Sequence, residues 1–171
     1  MTEEVAVDQE MVVSQILAAL KMLRSTIEAC PDSLWDRTSD YSRFWVLAYH
    51  TILFAHLYLS PSEEAFEPFE RKVAGHSAYG RDHLGDWSRL RPEDAFSVPD
   101  VLAYCDHVIG RVADLVAAAP FDAPSGFHWL TFTKGETHLY NLRHIQHHAG
   151  QLAHRLRQEA GIGTRWVRDG Q

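Results

Sequence analysis

The stretch Asn141-Leu-Arg-His-Ile-Gln-His-His-Ala-Gly-Gln151 sets His144 and His148 four residues apart within a run of helical spacing. On a helix, residues four apart stand about 40° from each other on one face, so two ring nitrogens can turn toward one point. That is half of a metal site. A candidate third ligand, His50, lies far upstream in Phe44-Trp-Val-Leu-Ala-Tyr-His-Thr-Ile-Leu-Phe54. Three neutral imidazoles from two packed helices would leave a divalent cation its full positive field and an open position, the arrangement of a catalytic rather than a structural metal. Water or a small thiol joining such a cation becomes a nucleophile near neutral pH. Taken singly, the same residues have ordinary explanations. His50 alone reads as a core histidine bonded to a carbonyl or a water, and the pair alone reads as surface histidines on a polar flank. The helix motif of the zinc proteases is absent, because it requires Glu directly after the first histidine and Ile145 stands there.

Four runs of helical periodicity must position these rings. The first extends from about Asp8 to Ala29, with Val13, Ile16, Leu17, Leu20, Leu23 and Ile27 at three-and-four spacing, and ends at Cys30-Pro31. The second, Ser42 to Leu59, is apolar nearly all round and is expected to be buried on every side. A third opens at Ser97-Val-Pro-Asp100, carries Val101, Cys105, Val108, Val112 and Leu115 in one stripe, and ends near Ala119-Pro120. The fourth runs from about Glu136 to Ala160 with Gly161 as its stop. Between the second and third, residues 60–98 carry Pro and Gly without periodicity and read as a long crossover connection. Residues 120–135 read as an irregular segment rather than a strand. These elements predict an all-α four-helix bundle, with residues 1–171 forming one domain.

On the fourth helix, His144 and His148 fall at the edge of the apolar arc, with Asn141 one turn before His144. His147 and His154 turn to the opposite flank. Asn141 and Gln151 are candidates for orienting a ligand or a substrate, although both also suit ordinary polar rim positions. Trp45, Tyr49 and Trp129 are candidate aromatic contacts for a substrate. Asp106, Glu136 and Glu159 are the acidic candidates for proton transfer, each equally suited to a solvated surface.

Charge and composition exclude other classes. A net charge of −7 and a pI near 5.8 supply no field for a phosphate backbone, so no nucleic-acid partner is expected. The acidic N-terminus and the lack of a long apolar run predict a cytoplasmic protein without membrane association. Cys30 and Cys105 belong to no paired motif and read as reduced thiols.

The string Leu139-Tyr-Asn-Leu-Arg-His-Ile-Gln-His-His-Ala-Gly-Gln-Leu152 resembles the last helix of the DinB/YfiT-like metalloenzyme family, whose pattern is His-x-x-x-His followed closely by Gly-Gln and an apolar residue. The lone His50 in a Trp- and Leu-rich second helix extends the resemblance, as does the helix order over nearly the whole chain. The resemblance implies an up-down-down-up bundle that tends to dimerise. It also implies that His50, His144 and His148 hold a divalent metal ion, nickel or zinc. Some members use a low-molecular-weight thiol such as mycothiol or bacillithiol in transferase or isomerase reactions, and others resemble metal-dependent hydrolases. A homodimer and a small-molecule substrate, with a thiol as partner, are therefore the expectations for this chain. The alternative is a non-catalytic, stress-related bundle that binds a ligand or a partner protein.

Overall fold

The computed structural model describes residues 8–37, 42–67, 69 and 95–170. Among the described residues it contains five helices and no strand. α1 (Gln9–Glu28) begins where the Asp8 side chain accepts from the Glu10 backbone N–H at 3.1 Å, and it buries Ile16, Leu20, Leu23 and Ile27. α2 (Asp32–Trp35) is a single turn after Pro31 that buries Leu34 and Trp35. Four residues are too few to show a period, which is why the sequence pattern does not reveal it. α3 (Phe44–Leu59) is buried on most of its surface. α4 (Val98–Ala117) opens with a reciprocal capping box between Ser97 and Asp100 and buries Val101, Cys105, Val108, Val112 and Leu115. α5 (Lys134–Ala160) starts two residues earlier than its periodicity predicts, capped by Thr133, and stops at Gly161 with a φ of 69°.

α1 and α3 each pack on both α4 and α5, and have little contact with one another. Directions follow from the cross-helix bonds. Lys134 Nζ donates to the carbonyls of Tyr58 (3.2 Å) and Ser60, while Arg155 Nη1 donates to Ser42 O at 2.8 Å, so α5 is antiparallel to α3 and tied to it at both ends. Trp45 meets Phe96, Tyr49 meets Tyr104 and His56 meets His107, so α4 is parallel to α3. Trp35 Nε1 donates to Phe96 O just before α4, and Arg24 pairs with Asp106 further along, so α1 is antiparallel to α4. The order is up-down-down-up. Each apolar side chain fully buried between these helices stabilises the bundle by roughly 1.5–3 kcal/mol relative to exposure.

Of the expected crossover at 60–98, residues 60–67, 69 and 95–98 are described, the last already opening α4; the remainder lies outside the described residues. The segment 121–133 is irregular, as expected, with a single bridge between Pro124 and Thr133. Gly126, at a φ of 85°, lets this segment press on the exit of α3, because a Cβ there would collide with the Pro61 carbonyl. That contact brings Phe127 and Trp129 alongside Tyr58. No described helix is long and apolar enough to cross a membrane.

Candidate metal centre

α3 and α5 bring His50, His144 and His148 together. One ring nitrogen from each lies within 4.8 Å of the other two, and all three residues are half-buried. The Nε2 atoms of His50 and His144 face each other at 3.3 Å. Ring centroids are 5.3 Å apart for His50 and His144, 5.1 Å for His50 and His148, and 4.6 Å for the helical pair. The i, i+4 spacing stacks the two α5 rings, and the antiparallel clamp of α5 on α3 sets His50 opposite them. His147 and His154 remain exposed on the far flank, as their helical angles predict.

Burial favours the neutral form of His144 and His148. It pushes the His144 pKa down to about 3, with the neighbouring His148 and His50 adding to the shift, and it lowers that of His148 as well. Gln151 Oε1 lies 2.8 Å from His148 Nδ1 and can only accept there, so Nδ1 carries the hydrogen and Nε2 keeps its lone pair. Gln151, exposed and one turn further along, thus bonds to the ring of His148.

Asn141 is fully buried rather than at the rim, and its Nδ2 donates to Ala55 O at 2.9 Å. Trp129 reaches the neighbourhood through Tyr58, whose hydroxyl bonds with Trp129 and Tyr140. Trp45 and Tyr49 are not at the histidines. Trp45 is buried with its Nε1 donating to Asp36, Tyr49 stacks on Phe96 at 4.8 Å, and both occupy the flank of α3 that packs on α4. The reason is angular: Tyr49 is one residue from His50, about 100° round the helix, whereas Phe54, four residues on, shares its face. Phe54 stacks beside His50 at 4.7 Å and His144 at 5.7 Å, and Tyr58 and Tyr140 continue this aromatic wall. The sequence marks none of these three as a substrate contact, although the same 40° step that pairs His144 with His148 sets Phe54 beside His50.

The acidic candidates lie elsewhere. Asp106 pairs with Arg24 between α4 and α1, Glu159 pairs with Arg37 and Arg155, and Glu136 is exposed in the first turn of α5. Cys30 and Cys105 are buried free thiols whose pKa values burial raises to about 12, so both stay protonated and inert.

The donor set fits a divalent cation. Two imidazole nitrogens bound tetrahedrally at about 2.0–2.1 Å lie roughly 3.3–3.4 Å apart, which matches the Nε2 separation of His50 and His144. Burial holds His144 and His148 neutral, and three nitrogens converge where a single N–H···N bond would use only two. No curated protein and no solved structure matches the chain. A family model does: it covers residues 15–152, a span that includes all three histidines and Gln151, and the chain therefore belongs to the DinB superfamily.

Proposed function

We propose that this chain is a metal-dependent enzyme that joins a low-molecular-weight thiol to an electrophilic substrate. The convergence of His50, His144 and His148 carries the proposal. A divalent ion held there, zinc or nickel, supplies a Lewis acid that makes a thiol nucleophilic at neutral pH. The three rings hold the cation without neutralising it, and Gln151 keeps the His148 lone pair aimed inward. Phe54, Tyr58, Tyr140 and Trp129 offer an apolar wall against which the carbon skeleton of a substrate is positioned.

Two observations favour an external thiol over water. Among the described residues the group contains no carboxylate to accept a proton from water, and Asp106 and Glu159 are committed to arginines elsewhere. A thiol, with an ordinary pKa near 8.5 against 15.7 for water, needs far less help to ionise. Neither of the protein's own cysteines meets that need, since both are buried and protonated. The residues would bring thiolate sulfur and electrophilic carbon together so that a C–S bond forms as the leaving group departs with its electron pair.

Metal analysis of the purified protein should find a divalent transition metal at about one per chain, with the His148→Ala variant losing it. A panel of small thiols with generic electrophiles should then show metal-dependent thiol consumption. Unchanged metal content in the variant would remove His148 from the ligand set, and metal-dependent ester or amide cleavage without thiol would replace the transferase reading by a hydrolase.

A further inference from the structure

Among the described residues, the buried side-chain nitrogen and oxygen atoms without a hydrogen-bond partner all belong to one stretch of α5: both ring nitrogens of His138, Oδ1 of Asn141 and Nδ1 of His144. Orphaned polar atoms are costly in a protein interior, and their concentration on successive turns of one helix calls for a common explanation. Residues 138, 141 and 144 are each three apart, one turn along and about 60° round the axis from the next. His138 and Asn141 are fully buried and therefore have no bulk solvent to turn to.

The orientation of Asn141 is fixed. Its side chain meets the Ala55 carbonyl at 2.9 Å, which only the amide NH2 can do, so the atom left over is the acceptor Oδ1. The orientation of His144 is fixed too, because Nε2 faces His50 and Nδ1 lies on the other side of the ring. One turn apart, then, stand an acceptor lacking a donor and a ring nitrogen lacking a partner. A buried water is stable where two to four polar groups converge.

We propose that an internal water site behind the histidine cluster, formed by Asn141 Oδ1 and His144 Nδ1–H, holds His144 in the tautomer whose Nε2 lone pair faces the cluster. Asn141 is then a positioning residue for His144, as Gln151 is for His148: two amide oxygens take the Nδ1 hydrogens of the two α5 rings, one directly and one through water. The inference deepens the cation reading of the cluster and rests on it.

The test uses the full-length 15N-labelled protein with Zn(II) alone as probe. Long-range 1H–15N spectra should place the His144 hydrogen on Nδ1, with and without Zn(II), protected from solvent exchange. The Asn141→Leu variant should bind Zn(II) roughly 10- to 100-fold more weakly and expose that hydrogen to exchange. Asn141→Asp keeps an acceptor at Oδ1 but loses the bond to Ala55 O, so it should recover most of the affinity while its Tm still falls. A purely structural role would lower the Tm of both variants and leave both dissociation constants unchanged, which overturns the proposal. So does a His144 hydrogen on Nε2 in the wild-type protein, a measurement that holds even if Asn141→Leu fails to fold. Absence of Zn(II) binding by the wild-type protein sinks the cation reading itself, and the metal-free spectrum still decides the tautomer and the water site.

Discussion

His50 and His56 stand on the same helix, six residues and about 120° apart round its axis, and the two flanks they occupy use imidazole differently. On the α4 side, His56 is almost wholly buried, its Nδ1 bonds to the Tyr104 hydroxyl at 3.2 Å, and its ring packs edge-on against Phe66, Tyr104 and His107. On the α5 side, His50 is half-buried and turns Nε2 toward the nitrogens of two other rings. A buried histidine with a hydroxyl partner is a satisfied core residue. Rings whose nitrogens point at each other are arranged for something that accepts lone pairs. The difference lies in partners more than in burial, and it separates scaffold from site on one helix.

The largest effect that tests this contrast is removal of a ring from the α5 flank. His144→Ala should weaken binding of Zn(II) or Ni(II) by more than the roughly 100-fold expected for losing a supporting residue, as read by competition with a chromophoric chelator. Metal retained at wild-type affinity would reduce the cluster to three neighbouring core rings.

Acid titration probes the other class of buried ring. Burial holds His56 and His138 at a pKa of about 4, against about 6.5 in the unfolded chain. Below 6.5 the unfolded chain binds more protons, so stability is complete above that pH and declines as pH falls toward 4, by roughly 3 kcal/mol per ring at most. Urea midpoints measured between pH 4 and 7 should rise with pH, and His56→Leu should flatten the curve. At pH 7 that same variant should cost on the order of 1–3 kcal/mol, because the Tyr104 hydroxyl loses its partner, while metal content stays unchanged. A loss of metal in His56→Leu would mean that the two flanks are not independent. Gln151→Leu should have the smallest effect, about tenfold weaker Zn(II) binding with no change in urea midpoint, because Gln151 is exposed and acts only on the ring of His148.

Much of this arrangement can be read from spacing alone. The periodicities of α1, α3, α4 and α5 come within two residues of the observed ends, and the 40° step between His144 and His148 holds. Proximity to His50 along the chain misled where angle would not: Tyr49 and Trp45 face α4, and Phe54 faces the cluster. Lys134 escaped notice because a charged residue at a helix start looks solvated, and only the structure shows it buried beneath the end of α3 with its pKa lowered to about 8. Asn141 and His138 lie on the apolar arc, but no pattern in the sequence states that a polar residue on such an arc will be fully enclosed.

The ties of Lys134 to the end of α3 and of Arg155 to its beginning fix how far one helix can slide along the other. Between these two bolts the spacing of residues is a ruler: one residue inserted after Lys134 and before His144 turns everything beyond it by about 100°. Either a bolt shears or both α5 rings swing away from His50. Length changes should therefore be ruinous within the bolted span, and a cation should meet a cage already in register, with no refolding on its arrival.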